Sequence, residues 1–317
     1  MTTTLITTPT FARHSSEPWD ILLRADAGPL RPEENAALPH GELLERIGEA
    51  DALIVGMDPI TADVMDAAPR LKVIAKHGVG TDTIDLDAAR RRDIPVVFAP
   101  GSNSRAVAEY TFGLILSARR SITASHQAVA DGGWPKIFGP ELAGQTLGII
   151  GLGRIGRLLA GYARAFGMTV LAHDPHLDPA AVERENATPV GLDDLLVRSD
   201  VVSLHLPGDP TAGPLLDHAR LSSMKSGALL VNAARGGLVD EHTLAGLLHS
   251  GRLGGAAFDA YAVEPLDGAS PLRTAPRTLL TSHMAACTPQ ANHAMGVQVA
   301  QDVVRVLTGQ PPVHRAD

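Results

Sequence analysis

Between Thr146 and Asp174 the chain reads T-L-G-I-I-G-L-G-R-I-G and then, after a run of helical spacing, M-T-V-L-A-H-D. The apolar run Leu147 to Ile150 is a strand candidate that enters Gly151, Gly153 and Gly156. Ile155, Leu158, Leu159, Tyr162, Ala163 and Phe166 then follow at helix period. Strand, tight turn and helix in this order suit a dinucleotide. Gly151 permits the turn, Gly153 leaves the backbone N–H groups open to a pyrophosphate, and Gly156 lets helix and strand approach closely. The helix N-terminus presents its positive dipole end to the phosphates. A second strand candidate, Met168 to Ala172, leads to Asp174, placed where a carboxylate accepts hydrogen bonds from the adenosine ribose. That carboxylate repels a 2′-phosphate, and no Arg or Lys follows before Arg184. NAD is therefore expected over NADP.

The rest of the chain agrees with a soluble globular protein. At 317 residues it exceeds the roughly 250–300 at which a single core stops growing, so two domains are expected. The 27 basic residues against 35 acidic ones give a net charge of -8, which supplies no basic footprint for nucleic acid. The single cysteine, Cys287, excludes an internal disulfide framework and fits a reducing compartment. The start, Met1-Thr2-Thr3-Thr4, is not a basic-then-apolar leader, and no run approaches the roughly eighteen apolar residues of a membrane span. A cytoplasmic protein without a membrane partner is expected.

Residues 1 to 102 alternate strand candidates (Leu5-Ile6, Ile21 to Leu23, Ala52 to Val55, Val73 to Lys76, Val96 to Phe98) with helical segments, among them Glu42 to Ile47 and Ala62 to Ala67. The turn cluster Pro100-Gly101-Ser102-Asn103 marks a crossing between domains. Ser104 to Val129 reads as one long helix. Further strands are expected at Val201 to Leu206, Ala228 to Val231, Gly255 to Phe258 and Thr278 to Thr281, and a helix at Glu241 to Leu248, which makes a second doubly wound parallel sheet. A last helix spans Thr288 to Leu307, and the end of the chain soon after is read as leaving no room for an appended regulatory domain.

Open α/β sheets bind ligands beyond the carboxyl ends of their strands. Three such ends carry chemistry here: Asn232-Ala233-Ala234-Arg235, Asp259 with Glu264 shortly after, and Ser282-His283. Reducing a 2-keto acid needs a cation that forks onto the carboxylate and keto oxygen, and an acid that protonates the developing alkoxide. Arg235 suits the first task and His283 the second. A nearby Glu264 would favour the imidazolium and hold its tautomer.

The chain resembles the D-2-hydroxyacid dehydrogenase family, in the branch similar to phosphoglycerate dehydrogenases. The motifs that carry the resemblance are Pro69-Arg70-Leu71-Lys72-Val73-Ile74 leading to Gly78-Val79-Gly80-Thr81-Asp82, Val107-Ala108-Glu109, GLGRIG at 151–156, His205-Leu206-Pro207, Met224-Lys225-Ser226-Gly227-Ala228, and AARGGLVDE at 233–241, with Asp259, Glu264-Pro265 and His283. It implies a catalytic set of Arg235, Glu264 and His283, a substrate carboxylate held by the N–H groups of Val79 and Gly80, and Asp259 on the nicotinamide side. Gly151, Gly153, Arg154, Ile155, Gly156, Asp174, His205, Pro207 and Ala233 complete the implied cofactor set, with no metal. Glu109 and Thr111 either help seat the cofactor or serve packing. The implied fold is a Rossmann NAD-binding domain, residues 103–284, inserted into a flavodoxin-like substrate domain, residues 1–102 and 285–317, which closes on it. A homodimer formed through the cofactor domain is also implied.

Departures from the family pattern are Thr83 after Asp82, Gly208-Asp209 after the His-x-Pro motif, and Ala286-Cys287 after the histidine. Gly56-Met57 stands where phosphoglycerate dehydrogenases offer an Arg to the phosphate. Arg13, His14 and Arg105 are candidates for the far end of the substrate, with solvated surface charge as the alternative. Glu264, where formate dehydrogenases of the family carry Gln, argues against formate. The other class of function on this fold is an NAD(H)-sensing binding protein similar to the corepressors that share it.

Overall fold

The computed structural model describes residues 2–30, 38–208 and 212–316, so Asp209 lies outside the described residues. The chain divides into two compact units, Met1–Asn103 with Ala286–Asp317, and Ser104–Ala285.

The first unit contains β1 (Thr4–Ile6), α1 (Glu17–Arg24), α2 (His40–Ile47), β2 (Ala52–Val55), α3 (Ala62–Asp66), β3 (Val73–Lys76), α4 (Leu86–Arg91) and β4 (Val96–Val97). The strands form a parallel sheet in the order β1-β2-β3-β4. Both inner strands, A-L-I-V and V-I-A-K, are buried along their whole length, as expected of parallel strands covered on both faces. Thr4 makes a further parallel bridge to Pro29 on the far side of β1. That bridge occupies the place of the second strand in the flavodoxin order 2-1-3-4-5. The segment Ile21 to Leu23, expected as a strand, is instead helical within α1. Pro18 in the first turn suits a helix start. Pro18 and Leu22, four apart, are both buried while Leu23 is exposed, a helical burial pattern that outweighs the apolar run.

The second unit contains α5 (Ser104–Arg120), α6 (Ile122–Ala130), β5 (Thr146–Ile150), α7 (Arg154–Ala165), β6 (Thr169–His173), α8 (Pro179–Arg184), β7 (Thr188–Pro189), α9 (Leu192–Arg198), β8 (Val201–Leu204), α10 (His218–Ser223), β9 (Leu229–Asn232), α11 (Glu241–His249), β10 (Gly255–Phe258) and β11 (Thr278–Leu280). Its parallel sheet runs β7-β6-β5-β8-β9-β10-β11, the Rossmann order with one added strand, and the strand order reverses between β5 and β8. Alternate residues feed the two faces: Val202, Leu230, Ala256 and Phe258 one core, Val201, Leu229, Val231 and Ala257 the other. The single helix expected over Ser104 to Val129 is two. Ser121 adopts a left-handed conformation, φ 52°, and separates α5, whose Val107, Thr111, Leu114 and Ile115 are buried, from α6, which buries nothing in this chain. The break falls where the helix leaves its packing surface.

The chain returns to the first unit as α12 (Pro289–Leu307), capped by the Thr288 hydroxyl, which accepts from the Ala291 N–H at 3.1 Å. Met295, Val299 and Val303 are buried, as their spacing predicts. Gly296 is glycine for a steric reason: a Cβ there would stand 2.7 Å from Pro18 Cγ of α1.

Candidate active site

The glycine turn after β5 is held by backbone and by Asp174. Gly151 has φ 99°, and a Cβ on it would overlap the His205 carbonyl oxygen. A Cβ on Gly156 would overlap the Gly151 carbonyl oxygen, whereas one on Gly153 would meet only open space. Gly153 is also the N-cap of α7, with no side-chain hydrogen bond and no acidic residue in the first turn. Four N–H groups at such a terminus lack intrahelical partners, so this cradle fits an anionic phosphate pair. Asp174, at the end of β6, accepts from Leu152 N–H at 2.9 Å and from His176 N–H at 2.8 Å. Its charge is thereby fixed beside the turn, where a ribose diol would be received. His205 follows β8 directly, with Nε2 2.8 Å from Ser203 Oγ. Burial pushes this imidazole down to about 4, so it is neutral in the physiological range.

Arg235, Glu264 and His283 lie beyond the carboxyl ends of β9, β10 and β11. His283 Nδ1 is 2.7 Å from Glu264 Oε2, and both side chains reach solvent. The other carboxylate oxygen of Glu264 accepts from Tyr261 N–H at 3.0 Å. Asn232, buried at the end of β9, accepts from Ala234 N–H at 3.1 Å and donates to the Arg235 carbonyl at 2.8 Å, which shapes the turn that carries Arg235. His283 has φ 51°, a left-handed conformation that costs a non-glycine residue about 1–2 kcal/mol. Asp259, 1% exposed, offsets it. Its carboxylate accepts from Thr281 Oγ1 at 2.6 Å, Met284 N–H at 3.0 Å and Ala285 N–H at 2.8 Å, on both sides of His283.

A model described as D-isomer specific 2-hydroxyacid dehydrogenase, NAD binding domain, matches residues 112–285. The chain belongs to the D-isomer specific 2-hydroxyacid dehydrogenase family. Its similarity to the phosphoglycerate dehydrogenase branch is equally plain: it is 41% identical to D-3-phosphoglycerate dehydrogenase of Mycobacterium tuberculosis over 272 residues, 85% of this chain and 51% of that protein. It therefore spans about half the length of such relatives. Glyoxylate reductase of Thermofilum pendens is 39% identical over 286 residues, 86% of this chain and 82% of that protein. A crystal structure of a protein from Thermus thermophilus superposes with TM-score 0.91 at 36% identity, covering 99% of this chain and 100% of that one. The two-domain fold and the family expected from the motifs are thus both found, and the second unit carries the NAD-binding domain of the family.

Among the described residues, the N–H groups of Val79 and Gly80 donate no backbone hydrogen bond, whereas Gly78 N–H turns back onto the Lys76 carbonyl at 2.8 Å. They stand in the loop that leaves β3. At Gly56, a Cβ would come within 3.0 Å of Thr8 Cβ and Oγ1, so an Arg could enter there only if Thr8 gave way. Thr111 is fully buried and its hydroxyl donates to the Val107 carbonyl at 2.7 Å. Arg13, His14 and Arg105 are exposed. Sequence reasoning passed over Lys76 and His77. Lys76 is buried at the end of β3, its ammonium bonded to the Gly56 carbonyl. His77 is buried beside Thr10 and Phe11. A charged residue ending an apolar strand was the available signal.

Proposed function

We propose that this protein is an NAD-dependent oxidoreductase that interconverts a small 2-keto acid and the corresponding D-2-hydroxy acid. The observation that carries the reading is the Glu264–His283 pair, 2.7 Å apart, beside the Arg235 turn at the strand ends of an NAD-binding domain. The names of the relatives, D-3-phosphoglycerate dehydrogenase and glyoxylate reductase, support the substrate class. NADH, held by the Gly151–Gly156 turn with Arg154 and Ile155, by Asp174, and by the segments of His205, Pro207, Ala233 and Asp259, would supply the hydride.

The chain's own residues would do the rest. Arg235 forks onto the substrate carboxylate and keto oxygen and stabilises the charge that grows on that oxygen. His283 gives its Nε2 proton to the developing alkoxide and recovers it in the reverse direction. Glu264, bonded to Nδ1, fixes the tautomer that leaves Nε2 facing the substrate and stabilises the imidazolium. NADH oxidation by purified protein against glyoxylate, pyruvate, hydroxypyruvate, 2-ketoglutarate, phosphonopyruvate and 3-phosphohydroxypyruvate, repeated with NADPH, is expected to reveal turnover of at least one acid with NADH preferred. Tight NADH binding with no turnover of any acid would move the reading to nucleotide sensing.

The unit is also proposed to pair with a second copy through residues 122–138. Nothing in α6 is buried, and the segment that follows exposes Trp134 at 78% and Phe138 at 97%. Burying one large apolar side chain stabilises by roughly 1.5–3 kcal/mol, and a two-fold interface buries each residue twice. Phe138→Asp is therefore expected to weaken dimerisation by about 10²- to 10⁴-fold. Sedimentation equilibrium reads this directly, and a wild-type protein monomeric at tens of micromolar would refute the pairing.

A further inference from the structure

One further residue, Tyr261, meets Glu264 and the neighbour of Arg235 through its main chain, and the strand end before His283 through its side chain. Tyr261 lies midway between Asp259 and Glu264 and is 7% exposed. Its backbone N–H donates to Glu264 Oε1 at 3.0 Å. Its carbonyl oxygen occupies the space that a Cβ on Gly236 would fill, so the residue next to Arg235 packs directly on it. Its phenol lies 2.7 Å from the Thr281 carbonyl and 2.9 Å from the Phe258 carbonyl. Thr281 is two residues before His283, and Phe258 is the last residue of β10.

We propose that Tyr261 is a positioning residue that fixes the spacing of Glu264 and His283 and seats the turn of Arg235. The proposal rests on the dehydrogenase reading above, because it concerns the same three side chains. A phenol has one O–H, so the two carbonyls share it in a three-centre bond, and the ends of β10 and β11 are tied at one point. The main chain of the same residue meets the other two groups. Hence a movement of Tyr261 displaces the general acid, its carboxylate and the substrate-binding cation together. Burial pushes the phenol up to about 12 against the lowering effect of the Thr281 hydrogen bond, and the carboxylates of Asp259, Glu264 and Glu241 act in the same direction as burial. The hydroxyl is therefore a donor throughout the working pH range. The loop has a second anchor: Ala262 N–H donates to Glu241 Oε1 at 2.9 Å, so loss of the phenol alone does not free it entirely.

A purely structural role, in which the phenol only satisfies two strand-end carbonyls, predicts a different result from a positioning role. Tyr261→Phe removes one oxygen and leaves the ring beside Phe258, 6.4 Å between centroids. The expected result is a fall in kcat of roughly tenfold, since small misplacements of reacting groups cost rate steeply, with KM for NADH unchanged. In protein labelled with 15N-histidine, the Nδ1 resonance of His283, assigned by its loss in His283→Gln, is expected to move in Tyr261→Phe as the Glu264 bond loosens. Site-specific 3-fluorotyrosine at position 261 keeps the hydroxyl and is expected to retain both the rate and the resonance. If Tyr261→Phe melts at lower temperature but keeps its kcat and its His283 resonance, the residue is structural and the proposal is overturned. If the wild-type protein reduces no 2-keto acid, the functional reading fails, while the resonance still decides whether Tyr261 sets the Glu264–His283 contact.

Discussion

His283→Ala is expected to lower kcat by about 10²- to 10⁴-fold, the usual contribution of a positioned general acid, while NADH still binds. The separation follows from where the parts sit in the NAD-binding unit. The glycine turn, α7 and Asp174 follow β5 and β6, whereas His283 follows β11 at one edge of the sheet. Removing the imidazole deletes the proposed proton donor without touching the glycine turn. Glu264→Gln is expected to cost less, because the imidazole remains and only its tautomer and its charge stabilisation suffer. Fluorescence titration with NADH and steady-state assays over the keto-acid panel separate the two effects. Wild-type turnover in His283→Ala would remove the histidine from the chemistry altogether.

Acidification is expected to destabilise each unit through its buried histidine. His77 is pushed down from 6.5 to about 4, chiefly by burial, with the Asn292 backbone opposing and the Lys76 ammonium assisting. His205 is pushed down to about 4 by burial alone. The unfolded chain takes up these protons near pH 6.5 and the folded one near pH 4, so the stability is full above 6.5 and is lost as pH falls between the two values. By about pH 5 each histidine has removed roughly 2 kcal/mol. His77 lies in the first unit and His205 in the second, so each unit is expected to melt several degrees lower, at roughly 2–4 °C per kcal/mol. Asp51 and Asp200 fall outside this window. Burial pushes both carboxylates up, but hydrogen bonds from Thr3 and Arg70 to the first, and from Lys225 and Thr146 to the second, hold them below 3.8. Their contribution is present above that value and disappears only as pH falls further. Calorimetry from pH 7.5 to 5 on the wild type and on His205→Asn tests the assignment: a variant with an unchanged pH slope for the second unit would refute it.

Much of this was legible in the sequence because it depends on local order. The turn at 151–156 needs glycine where backbone stands in the place of a side chain, as at Gly151 and Gly156, and the residues nominated for chemistry stand where apolar strand runs stop. Arg235, Glu264 and His283 were nominated on that ground. Other features depend on what packs from elsewhere. Ile21 to Leu23 reads as a strand until Pro18 and Leu22 are seen buried on one side of a helix. The break at Ser121 follows from the packing surface ending beneath α5, which no local residue announces. Asp259 could be nominated, but its hold on both sides of His283 depends on a loop 22 to 26 residues later. Tyr261 gave almost no signal, since a tyrosine in a loop does not reveal which carbonyls its hydroxyl will find.

The first unit is assembled from two stretches separated by the whole of Ser104–Ala285, and α12 supplies Val299 and Val303 to its interior. During synthesis, residues 2–103 leave the ribosome long before the helix that completes their core exists. Closing an unstructured loop of that length costs roughly 4–5 kcal/mol of chain entropy, whereas a folded insert brings its two ends into a fixed relation beforehand. The nascent chain thus has a physical reason to form the nucleotide-binding unit first and to finish the other unit around an already ordered insert.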